Sequence, residues 1–102
     1  MTQSAPQNAT IDTLAAELRG ALSGGWTVTA RFDHILATTP LCDRIEITPL
    51  AYSYTDVRWA VVPARRAIAA EVVPEAPGTD LTADVAALLR ALSYRHSRPP
   101  VF

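Results

Sequence analysis

Residues 44–75 read RIEITPLAYSYTDVRWAVVPARRAIAAEVVPE. The stretch holds both long alternating apolar runs of the chain, one of its two tryptophans and two of its three tyrosines. Ile45 and Ile47 alternate with Glu46 and Thr48, and Leu50, Tyr52 and Tyr54 alternate with Ala51, Ser53 and Thr55. Successive side chains of a strand point to opposite faces, so a period of two marks a sheet with one buried face. The alternation predicts a strand over Arg44–Tyr54. Pro49 inside it has no N–H for a ladder and implies a bulge or an edge position. Thr55-Asp56 supplies a turn, and Val57–Val62 is a further strand. Residues 64–73 admit two readings. Good helix formers between Pro63 and Pro74 would suit a short helix. Alternation of Ile68, Ala70 and Val72 instead suits a hairpin, with PARR at the turn and Ala67–Val73 as the last strand. The hairpin is preferred here.

Outward from this stretch the period changes. Ile11, Leu14, Ala15, Leu18 and Leu22 recur at helical spacing, with Asn8 or Thr10 placed to cap the start and Ser23-Gly24-Gly25 to end it. In Trp26–Phe32, Trp26, Val28, Ala30 and Phe32 alternate with polar residues and form a strand whose apolar set faces the core. Residues 33–43, DHILATTPLCD, show neither period and read as a connecting loop. Toward the other end, EAPGT at 75–79 is a loop, and Thr79 or Asp80 caps a helix carrying Leu81, Val85, Leu88, Leu89 and Leu92. Arg90 and Arg95 lie toward its C-terminal end, where positive charge is favoured. The polar residues 1–9 read as a flexible lead, and Pro99-Pro100 makes 97–102 an extended tail. The predicted fold is α+β in the order α-β-β-β-β-α. A mostly antiparallel three- to four-stranded sheet carries two amphipathic helices on one face, within one domain whose core spans residues 10–93.

The chain has 102 residues, of which 49% are hydrophobic, and a formal net charge of -1. That length supports one core, and that charge supplies no global field for nucleic acid. All nine basic residues are arginine, the cation best suited to planar, bidentate pairing. The single Cys42 excludes an internal disulfide, the N-terminal residues do not resemble a signal peptide, and no stretch approaches the roughly 20 apolar residues of a membrane span. A cytoplasmic chain, or an assembly built in the cytoplasm, is expected.

Chemistry-bearing residues are few. Asp33-His34 and Cys42-Asp43 flank or occupy one predicted loop and there could pair as thiolate and imidazole, although no accompanying oxyanion site is visible. Cys42, His34 and His96 would need Asp33 or Asp43 to complete a zinc site, and no two of them share a ligand-spacing motif. Gly24-Gly25 follows a helix and precedes a strand, the reverse of a phosphate-cradling loop. No catalytic residue, cofactor or metal is therefore assigned. Arg58, Arg65 and Arg66 sit near Trp59, and with Arg31 and Arg44 they suggest a basic face of the kind that holds single strands. Interleaved Glu46, Asp56, Glu71 and Glu75 point instead to a solvated or protein-binding face, so direct nucleic-acid binding is not expected. Aromatic residues and arginine are enriched at interfaces. The candidate interface residues are Tyr52, Tyr54, Arg58, Trp59, Arg65 and Arg66, with Val101 and Phe102 on the tail, which can dock on its own domain or on a neighbour.

The segment LAAELRGALSGGWTV at 14–28 resembles the start of many small proteins of long-tailed bacteriophages and prophages. The order that follows, several strands around an Arg-Trp region and then the leucine-striped TADVAALLRAL at 82–92, is similar to the tail-terminator class of that group. The resemblance implies a non-enzymatic virion protein, a tail terminator or head–tail connector subunit. It would assemble as a ring of its own copies, commonly a hexamer, between tail-tube and connector proteins. It would reside in the tail or neck after assembly in the host cytoplasm. The alternative is a small cytoplasmic protein-binding module of the immunity or antitoxin kind.

Overall fold

The computed structural model describes residues 10–51, 57–65, 67–76 and 78–97, and the side chains at 51 and 95–97 lie outside that description. Helix α1 (Ile11–Ala21) leads into strands β1 (Thr27–Ala30), β2 (Ile35–Thr38), β3 (Arg44–Ala51), β4 (Val57–Pro63) and β5 (Glu71–Pro74), and helix α2 (Leu81–Ser97) follows. The strands form one sheet in the order β1-β2-β3-β4-β5, with every neighbouring pair antiparallel. The chain is thus α+β, with one strand more than the sequence reading allowed.

The extra strand is β2, inside the predicted loop 33–43. It pairs with β1 on one side and β3 on the other. Ile35, Leu36 and Ala37 are consecutive apolar residues, so a strand of four shows no alternation, although Ile35 and Ala37 face inward and Leu36 outward. The hairpin reading of 64–73 holds, but β5 begins only at Glu71 and residues 64–70 make the connection. Val72 consequently faces out, half exposed, while Val73 packs toward the core.

Pro49 makes no bulge. The register Ile47↔Val61, Pro49↔Trp59, Ala51↔Val57 runs through it unbroken. Ala64 N–H donates to Arg44 C=O at 2.9 Å, so in the antiparallel pattern the even positions of β3 bond to β4 and Pro49 turns its nitrogen toward β2. The β2 pairing stops at Ile35↔Ile47, so no acceptor waits there. A proline in the central strand is tolerated because it lies past its neighbour's end.

Both helices cover the same sheet face. Leu14, Ala15, Leu18 and Leu22 of α1 and its C-cap join Val85, Ala86, Leu89 and Leu92 of α2 in one cluster with Val28, Ile35, Ala37, Ile45, Ile47, Trp59 and Val61. Each fully buried aliphatic side chain there contributes roughly 1.5–3 kcal/mol. The Thr10 hydroxyl caps α1 by accepting from Thr13 N–H at 3.1 Å, and Asp80 caps α2 by accepting from Ala83 N–H at 3.1 Å. Arg90, expected to serve its own helix, donates to the C=O of Ala21 at 2.6 Å and closes the end of α1 instead. The Thr82 hydroxyl donates to the Glu17 carboxylate, a second tie between the helices. Gly24 and Gly25 take positive φ after α1, and a Cβ on Gly25 would lie 3.4 Å from Pro40.

Candidate interaction surface

Alternation sorts the residues singled out from the sequence. Trp59 is completely buried on the inner face, and its indole N–H donates to the Glu75 carboxylate at 3.1 Å. It anchors the core and presents no surface to a partner, which corrects the expectation that it does. Its neighbour Arg58 is exposed on the outer face, opposite Leu50 on β3 and Pro74 on β5. Arg65 is exposed beyond the far end of β4, roughly 20 Å away along the strand. Arg44 is also exposed on the outer face, but on the same strand and face as exposed Glu46. Among the described residues, Arg44, Arg58 and Arg65 therefore do not gather around Trp59. Tyr52, Tyr54, Arg66, Val101 and Phe102 lie outside the described residues.

The Cys–His idea fails on topology. His34 ends the β1–β2 turn and Cys42 sits in the β2–β3 turn, so the length of β2 separates them. Asp33 instead pairs with its neighbour: His34 Nδ1 lies 2.8 Å from Asp33 Oδ1. That hydrogen bond holds the Asp33 carboxyl below the usual carboxylate range. Among the described residues no group of three or more His, Cys, Asp or Glu side chains is arranged to hold a metal; the His96 side chain lies outside them.

The β2–β3 turn is built by Thr39, a buried polar residue. Its hydroxyl accepts from Leu41 N–H at 3.2 Å and from Asp43 N–H at 3.1 Å, while Cys42 N–H donates to Thr39 C=O at 2.8 Å. Cys42 follows with φ 69°, a left-handed position that glycine usually occupies in three-residue hairpin loops.

The sequence reading missed the exposed apolar side chains. Phe32, placed in the core by extending the β1 alternation two residues too far, is fully exposed at the tip of the β1–β2 turn. There the N–H of Arg31 donates to His34 C=O at 2.8 Å, so Phe32-Asp33 forms the tip. Leu41, Val62, Val72 and Tyr94 are also exposed. Val62 was legible, since the parity that buries Trp59 and Val61 turns it outward. On the outer face a shallow depression of about 280 Å³ is lined by Arg44, Glu46, Val62, Pro63 and Ala64. It lies below the roughly 300–1,000 Å³ typical of small-molecule sites.

Each sheet edge is partly guarded. In β1 the antiparallel pattern points the C=O of Val28 away from β2, and Arg19 Nε of α1 donates to it at 2.9 Å. In β5 the residues facing outward are Val72 and Pro74, and Pro74 has no N–H. Each edge thus has one backbone group withdrawn from strand addition.

No protein-family model matches the chain, and neither a curated protein nor a solved structure matches it. Among the described residues no helix is long and apolar enough to cross a membrane.

Proposed function

We propose that the chain is a non-enzymatic structural subunit of a long-tailed bacteriophage virion. In this reading it is a tail terminator or head–tail connector that acts by forming a ring with its own copies at the end of the tail tube. The observation that carries the reading is the sheet's outer face, over which no described element packs and which bears exposed Val62 and Val72 and is bordered by fully exposed Phe32. Apolar surface that a chain's own fold leaves unused commonly marks a place where other chains sit. The resemblance of residues 14–28 and of the element order to tail terminators supplies the rest. On this reading the ring is hexameric, contacts tail-tube and connector proteins, and resides in the tail or neck after assembly in the host cytoplasm.

Electron microscopy of the purified full chain tests this. Closed rings of uniform subunit number are the expected result, and isolated particles of protomer size at every concentration would count against it. A second reading, a small cytoplasmic module that binds one other protein, is favoured by the partly guarded sheet edges. The Arg19 cap on Val28 and the position of Pro74 are devices that keep a monomer from pairing strand to strand. A 1:1 complex with an unrelated protein, formed by a chain that never self-associates, would select it.

A further inference from the structure

We infer that the subunits join by a knob-and-socket contact between side chains, with Phe32 of one copy seated in the Arg44/Glu46/Val62 depression of the next. The inference rests on the ring reading and deepens it. Strand addition is the usual first candidate for joining antiparallel sheets, but Arg19 caps one carbonyl of the β1 edge and Pro74 removes a donor from β5, which weakens it. A contact through side chains needs neither edge.

Phe32 is fully exposed at a turn tip, held out by the Arg31–His34 hydrogen bond at its base. A large aromatic ring left wholly in water is the feature of this surface that its own fold explains least. The depression is lined by Val62, Pro63 and Ala64 together with Arg44 and Glu46, and its volume of about 280 Å³ suits a single side chain. The charges match as well. Phe32 lies between exposed Arg31 and exposed Asp33, and the socket carries exposed Glu46 and Arg44. Seating the ring can bring Arg31 to Glu46 and Asp33 to Arg44. None of Arg31, Arg44 and Glu46 has an ion-pair partner among the described residues. The Asp33 carboxylate is exposed, and its hydrogen bond with His34 favours its charged form.

On the ring reading the contact is head-to-tail. Knob and socket lie on different strands and at opposite ends of the sheet, roughly 15–20 Å apart by strand rise and spacing. A two-fold dimer is not required to satisfy them. Each copy can give its knob to one neighbour and its socket to the other, the arrangement that closes into a ring or extends into a filament.

Sedimentation equilibrium of the full chain, from micromolar to millimolar concentration, tests this on four proteins: wild type, Phe32→Ser, Arg44→Asp and the double variant Asp33→Arg/Arg44→Asp. All three positions are exposed, so each variant should melt within a few degrees of wild type, as circular dichroism will verify. Phe32→Ser is expected to raise the self-association constant (Kd) at least about tenfold. Arg44→Asp should weaken association in the same direction, and the double variant, which restores the charge pair in reverse, should recover to within about threefold of wild type. Wild-type assembly that Phe32→Ser leaves unchanged would overturn the contact and leave the ring reading standing. A wild type that stays monomeric throughout would overturn both. A double variant no better than Arg44→Asp alone would overturn the pairing of Asp33 with Arg44.

Discussion

The inner and outer faces of the sheet come from the same strands, one residue apart, and they are built for different work. On β4 the inward residues Val57, Trp59, Val61 and Pro63 are buried, while Arg58 and Val62 between them are exposed. On β3, Ile45 and Ile47 are buried and Arg44 and Glu46 exposed. The inner face is closed by two helices and has little polarity to satisfy. The outer face mixes threonine, charge and aliphatic side chains with nothing described above it. Stability therefore resides on the inner face, and the outer face is the one proposed to meet another copy. Substitutions should separate the two properties cleanly.

The largest effect belongs to the inner face. Trp59→Ala removes the largest fully buried side chain of the described core and leaves the Glu75 carboxylate without its indole donor. A loss of about 3–5 kcal/mol is expected in denaturant unfolding. A loss below about 1 kcal/mol would mean that the inner face is not the stabilising one. Thr39→Val comes next. Thr39 is buried just after β2 and turns its hydroxyl to the hairpin that follows, so its replacement costs the N–H groups of Leu41 and Asp43 their shared acceptor. About 1–2 kcal/mol should be lost, again read from unfolding curves.

Cys42→Gly should move stability the other way. The residue holds φ 69° at an exposed turn, where glycine meets no Cβ conflict, so a gain of about 0.5–1 kcal/mol is expected in thermal or chemical denaturation. A net loss would show that the cysteine side chain makes a contribution larger than its strain. The smallest effect is at the turn that carries Phe32. The Asp33 carboxyl titrates below the usual carboxylate range because of His34, so whatever stability that pair lends is present above the unfolded carboxyl's pKa and is lost as pH falls through the lower, folded one. Carbonyl-detected NMR should find the Asp33 midpoint depressed in wild type and raised toward the ordinary range in His34→Ala. An unchanged midpoint would remove the hydrogen bond as the cause.

The legible parts of the fold were those where a long period met large side chains. Both helices, the Thr10 cap, the glycine stop after α1, and the central strands β3 and β4 follow from spacing alone. β2 did not, because four residues with three consecutive apolar members carry no alternation, and its strand character comes from lying between β1 and β3. Phe32 was misplaced because a real alternation ended at Ala30 and the turn after it has neither glycine nor proline to mark it. Trp59 was misread for a different reason. Its parity with Val57 and Val61 already placed it inside, and the neighbouring arginines drew attention to sequence proximity, which a strand converts into opposite faces. The socket was not legible at all, since it joins β3 to the end of β4 and exists only once the register does.

Methyl and aromatic NMR of the wild-type chain over a dilution series compares the two faces most directly. The expected result is concentration-dependent shifts at the Val62 and Ala64 methyls and the Phe32 ring, with the Ile45 and Ile47 methyls unmoved. Spectra identical at every concentration, or shifts that spare Phe32 and Val62, would contradict the division of labour between the faces.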